Sequence, residues 1–256
     1  MIMRKLSSRQ SGMSLISLMV GLTIGLLLLA GLFQIWLQTR QTFGAQGQLA
    51  QLQDNERMVL TTMANTIQTG GYYPIYLNYS ATPPATPYTS SSLIAIGNFT
   101  TAGQSLYGTY SATPPGDTLS VRFIADNTST TANNTTLDCQ GQTQATGTLV
   151  TNTYQINGGL LQCSTDGSKT WQTIINNPVA NMTILYGIDT LGNGDGTQLE
   201  YLTADKVQAG TYWGKVISVQ IQLTFNNPLY GQAGQSGQAA FLPVIKRTVA
   251  IAQTPQ

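Results

Sequence analysis

The chain has 256 residues, only 8% of them charged, and a formal net charge of +1. Average soluble proteins carry about 25% charged residues; here Gln, Asn, Thr, Ser and Gly take their place, and no basic surface of the kind that nucleic-acid binding needs is expected. Histidine is absent, which excludes His-based acid–base catalysis, Ser-His-Asp and Cys-His nucleophiles and His-ligated zinc; the acids, from Asp54 to Asp205, are scattered, so no enzyme is expected.

The chain opens with a short basic leader, residues 1–12, carrying Arg4, Lys5 and Arg9 and ending at Gly12. Residues 13–37 then contain no charge. At 1.5 Å per residue they make a helix of roughly 37 Å, enough to cross a hydrocarbon core of about 30 Å. An ordinary secretory signal places its small-residue cleavage site after a shorter apolar region; here the small residue comes first. Cleavage at Gly12 removes the leader, leaves the membrane helix in the mature chain and takes the formal net charge from +1 to −2.

This arrangement resembles the prepilin signal of type IV pilins and type II secretion pseudopilins. The usual motif reads GFTLIELMV, and residues 12–20 read GMSLISLMV, a match at six of nine positions. The resemblance implies that a prepilin peptidase cuts between Gly12 and Met13 and that Met13 becomes the N-methylated start. It also implies a glutamate five residues after the cut, where this chain has Ser17. In the family that carboxylate is thought to pair with a neighbour's N-terminal amine. A serine avoids the cost of a charge in lipid but cannot form the pair; either the subunit has no neighbour ahead of it, or the position has drifted.

The helical pattern continues past residue 39. Leu49, Leu52, Leu60, Met63 and Ile67 recur at three-to-four-residue spacing, with Glu56 on the same stripe, until Gly70-Gly71 stops the helix. One helix is therefore expected over about 13–69, with residues 13–39 in the membrane and 40–71 amphipathic and facing a head. Gly21 and Gly25 stand at the spacing that permits close helix contact in a membrane, a short and common motif.

Residues 72–116 are rich in Tyr, Pro, Ser and Thr and are expected to be a loop region. Tyr72, Tyr73, Tyr76, Tyr79 and Tyr88 either offer contact area to a ligand or pin the loop to a sheet. Strand patterns dominate 117–256: residues 118–125, 148–156, 181–186, 215–226 and 241–252. The clearest has Ile217, Val219, Ile221, Leu223 and Phe225 alternating with polar residues. Gly/Asn/Asp turns between them suggest an antiparallel meander, and one helix on one face of it gives an α+β head.

Cys139 and Cys163 lie beyond the membrane helix, where disulfides persist. A structural disulfide is expected over two buried thiols or a redox pair, because the spacing is too long for C-x-x-C. Asp189, Asn193 and Asp195 in DTLGNGDG offer oxygen ligands for calcium, but the spacing is not that of an EF-hand and a plain hairpin turn fits as well. The Asn-x-Ser/Thr matches carry no meaning in so Asn- and Thr-rich a chain.

The downstream segments GQLAQLQDNERMVL, GDTLSVRF, the paired cysteines, LQCSTDGS and NMTILYGIDT, with the terminal strand, look similar to the PilW-type minor pilins. The resemblance implies a type IV pilin-like fold and a subunit that helps initiate pilus assembly, supporting adhesion and twitching. Its partners would be other minor pilins, the major pilin, a tip adhesin and the prepilin peptidase. It would sit in the inner membrane with a periplasmic head, then at the pilus tip. A minor pseudopilin of a secretion or DNA-uptake system, and an adhesive ligand-binding module, are the alternatives.

Overall fold

The computed structural model describes residues 15–74, 93–127, 135–189, 199–232 and 234–251. The chain divides into two units, residues 1–50 and 51–256. Helix α1, Leu15–Gln68, contributes its first part to one and its second part to the other.

In the second unit α1 buries Leu52, Val59, Met63, Ala64 and Ile67. The stripe foreseen at Leu60 is centred one residue earlier, on Val59, and Leu60 is half-buried at its flank. A helix repeat of 3.6 residues brings 52, 59, 63 and 67 onto one line. Glu56 is half-exposed beside it, and burial pushes its carboxyl above the usual range. The helix ends where the Gly70 N–H bonds the Ile67 carbonyl. Gly71, at φ 79°, then turns the chain and donates to the Arg122 carbonyl. A side chain at Gly70 would press on Val121 Cγ1 at 3.1 Å, so glycine lets the helix end lie directly on a strand.

Among the described residues the head contains two antiparallel sheets where the sequence suggested one. Strands β1 (Leu106–Thr109), β2 (Thr118–Ile124), β3 (Leu149–Asn157), β4 (Leu160–Ser164) and β5 (Gln172–Thr173) form a meander in that order. β3 and β4 are joined by Gly158-Gly159, both at positive φ, the two-residue turn that matches strand twist. The second sheet comprises β6 (Val179–Asp189), β7 (Leu199–Leu202), β8 (Val216–Phe225) and β9 (Ile245–Ala250), ordered β7-β6-β8-β9. A short helix α2, Ala204–Ala209, and a 3-10 turn, Tyr212–Lys215, connect β7 to β8.

Period-two alternation sends one side of each sheet into a shared core with α1. Leu119, Val121, Tyr154 and Leu161 come from the first sheet, and Met182, Ile184, Tyr186, Ile221 and Leu223 from the second. The Thr66 and Tyr154 hydroxyls bond at 2.7 Å in that core, tying α1 to β3. Strand β1 was not foreseen: it lies inside the Pro/Ser/Thr-rich region, is four residues long and has no alternating run of its own.

Candidate functional site

The first part of α1 presents apolar side chains around its whole circumference. Leu15, Ile16, Leu18, Leu27, Leu32, Phe33 and Trp36 are all more than half exposed. An 18-residue window has a mean hydropathy of 2.5 with none of it buried. Its threonines bond backwards to the helix itself, Thr23 to the Val20 carbonyl at 2.9 Å and Thr39 to the Ile35 carbonyl at 2.8 Å. Those hydroxyls therefore need no water, as a lipid-facing surface requires. Ser17 sits on this exposed helix; Gly12 and Met13 lie outside the described residues.

In the head, Cys139 and Cys163 form the expected disulfide, with Cα atoms 6.4 Å apart. It fastens the loop at 135–148 to β4. The Asp138 carboxylate shapes that loop by accepting the N–H groups of Gln140 and Gln142, each at 2.9 Å. The Cys139 N–H donates to Asn152 Oδ1 on β3 at 3.1 Å.

Arg122 on β2 is fully buried on the side of the first sheet that faces away from α1. Its guanidinium donates to backbone carbonyls: Gln104 through Nε, Ile94 through Nη1 at 2.7 Å and Leu93 through Nη2 at 3.1 Å. The guanidinium carbon stands 4.3 Å from the Phe99 ring centroid. Burial pushes its pKa down to about 10, which leaves it charged at neutral pH. One side chain thus gathers residues 93–104 over the sheet, where Leu93 packs with Tyr73 and Ile124.

Beside that cover lies a groove of about 350 Å³. Its floor includes Ser120, Thr151 and Thr153; one wall is the turn at 96–99 and the other the turn at 165–168. Asp166 is the charged lining residue, and it is engaged locally: it accepts from the Ser164 hydroxyl, the Lys169 and Thr170 N–H groups and the Thr170 hydroxyl. The Thr170 hydroxyl foremost holds its carboxyl well below the usual range. The groove therefore sets hydroxyls and apolar side chains around one ionised carboxylate whose hydrogen bonds are taken up within its own turn.

The anchor and the head each match a known family. Residues 7–33 match the prokaryotic N-terminal methylation motif. Residues 123–244, from within β2 to just before β9, match the type IV pilus-assembly protein W family, PilW. Over that stretch, just under half of its length, the chain is similar to the PilW family. Among solved structures, a type IV-like pilin from Thermus thermophilus is similar at 14% identity, covering 80% of this chain and 100% of that one with a TM-score of 0.41. No curated protein matches the sequence.

The α+β fold, the apolar N-terminal helix and the disulfide stand where the sequence placed them. The proposed calcium ligands divide. Asp189 is buried at the end of β6, while Asn193 and Asp195 lie outside the described residues, as do Tyr76, Tyr79 and Tyr88. Among the described residues no group of three or more His, Cys, Asp or Glu is arranged to hold a metal. Tyr72 and Tyr73 lie against the first sheet, in the clusters of Phe123 and Ile124.

Two organising residues escaped the sequence reading, Arg122 and Asp117. The signal for Arg122 was a cation within the apolar run TLSVRFIA, since a charge in a buried strand needs dedicated partners. Asp117 stands directly before that run and after a glycine, which reads only as a turn.

Proposed function

We propose that this chain is a non-enzymatic minor pilin that promotes the initiation of pilus assembly from the inner membrane, as part of a tip or priming complex. The observation that carries the reading is α1 itself. One uninterrupted helix is bare and apolar over its first part and buried against the sheets from Leu52 to Ile67. A bare apolar stretch of that length needs lipid before assembly, and sibling pilin helices can take the place of lipid afterwards. In this reading the prepilin peptidase cuts between Gly12 and Met13 and Met13 is methylated. The head faces the periplasm until the subunit enters the filament with other minor pilins, the major pilin and a tip adhesin.

The test is a deletion complemented with wild type, read as surface pili and twitching, with intact-mass measurement of the purified chain. Loss of pili with a mature start at Met13 supports the proposal. An unprocessed chain, or loss of protein secretion with normal pili, overturns it; the latter result is that of a pseudopilin. Gold labelling of the head locates the subunit, and Ser17→Glu tests its place. A subunit with no neighbour ahead gains nothing from the carboxylate. Pilus number should hold or fall in the variant, and label along filament shafts with more pili would refute the tip position.

A further inference from the structure

Arg40 is the sole charged residue from position 13 to position 53. It falls one turn after Trp36, where the apolar run gives way to Gln38, Thr39, Gln41 and Thr42. Its guanidinium carbon lies 5.6 Å from the Trp36 ring centroid. Phe33 stacks on the other side of that turn, its ring centroid 5.9 Å from that of Trp36 at an interplanar angle of 26°. Phe43 follows with 69% of its surface exposed. The spacing of 33, 36, 40 and 43 alternates three and four residues, which places all four on one side of the helix.

We propose that Phe33, Trp36, Arg40 and Phe43 form a lipid-headgroup collar, with Arg40 bound to a phospholipid phosphate in the leaflet opposite the basic leader. The collar sets the depth at which the subunit rests before assembly. The proposal depends on the reading of this helix as a membrane anchor. Three physical arguments favour lipid as the occupant.

The first is length. From Leu15 to Trp36 the helix rises about 32 Å, close to the hydrocarbon thickness of about 30 Å, so the indole reaches the far boundary as the leader end meets the near one. The second is chemistry. Indole rings prefer that boundary, and arginine lays its stem along apolar surface while its head reaches polar groups. Helical side chains lean toward the N-terminus, which brings the Arg40 head back over the ring of Trp36 at the level of the phosphates. The third is charge. A copy of this anchor offers no carboxylate to Arg40, because residues 13–53 contain no Asp or Glu. Helix contacts in membranes also favour small residues over two phenyl rings, an indole and a guanidinium.

The experiment uses the full chain in vesicles of phosphatidylethanolamine and phosphatidylglycerol. The acyl chains are brominated either near the headgroup or near the terminal methyl. Trp171 and Trp213 belong to the other unit, and a Trp36→Phe chain measures their contribution. The Trp36 signal should be quenched by the shallow label roughly twofold more than by the deep one, as an interfacial indole requires. Arg40→Gln should bring that ratio toward one, while Arg40→Lys should keep most of it. In vesicles of galactolipid, which has no phosphate, wild type and Arg40→Gln should coincide. Stronger quenching by the deep label in wild type overturns the collar and leaves the anchor standing. So does an unchanged ratio in Arg40→Gln. No quenching of Trp36 by either label would overturn the anchor reading itself.

Discussion

The carboxylate of Asp117 accepts the N–H of Ile184 at 2.7 Å, and this bond couples the two sheets. Asp117 stands just before β2, whereas Ile184 is mid-strand in β6. The junction is reinforced by backbone bonds from the Asp117 N–H to the Met182 carbonyl and from the Met182 N–H to the Pro115 carbonyl. Gly116, at φ 99°, has no room for a side chain because the Met182 carbonyl occupies the space. With 2% of its surface exposed, Asp117 cannot be replaced by water. Asp117→Ala leaves the Ile184 N–H unpaired, and unfolding of the full chain in detergent by urea should record a loss of about 1–3 kcal/mol.

Asp117 and Asp166 should impose opposite pH dependences. Burial raises the Asp117 carboxyl above its usual value, against the bonds from Ile184 and Ser111, with the charge of Asp205 adding to the rise. Its contribution to stability is full below the unfolded carboxylate value of about 3.9 and is lost as pH climbs through the raised folded value. The lowered Asp166 contributes above the unfolded value and loses that contribution as pH falls through its depressed one. Thermal unfolding from neutral pH into acid should therefore steepen its acid loss in Asp117→Asn and flatten it in Asp166→Asn. Equal profiles in both variants would refute these assignments.

Arg122→Met should destabilise the head by about 3 kcal/mol or more, since it strands several buried carbonyls at once. Arg122→Lys should fare little better, because a single ammonium cannot reach carbonyls spread around a planar fork. Limited proteolysis should then cut within 93–104 before the rest of the head, and wild type should resist at those bonds.

The Tyr186 hydroxyl is buried without a hydrogen-bond partner and lies where a side chain on Gly108 would go. Its ring is held edge-on by Trp213 at 5.0 Å. Gly108→Ala should cost about 1–3 kcal/mol by overpacking, and Tyr186→Phe alone should be neutral or stabilising. The double variant should recover a measurable part of the loss, so a double-mutant cycle in urea checks the contact. Strict additivity of the two changes would argue against it.

Replacing both Cys139 and Cys163 by serine should cost about 3 kcal/mol, the chain-entropy value for a closed loop of about 25 residues. In the unreduced protein a thiol reagent should label neither cysteine. Labelling of both would refute the bond.

The sequence alone was enough for the features that are periodic or local. The apolar run and the stripe through Leu52, Met63 and Ile67 fix one long helix, because burial of one side at a 3.6-residue repeat leaves a pattern any reader can count. The alternation from Ile217 to Phe225 fixes β8 in the same way. Gly70-Gly71 fixes the helix end, and the two cysteines beyond the membrane helix lead to their bond. Only the tertiary structure decided that the strands divide into two sheets, that Gly108 makes room for Tyr186, and that Arg122 and Asp117 bind partners as far as 67 residues away. Those choices rest on which backbone carbonyls and N–H groups meet when distant segments close on each other. A backbone group is the same in every residue, so the letters of the sequence carry no mark of which one a buried side chain will find.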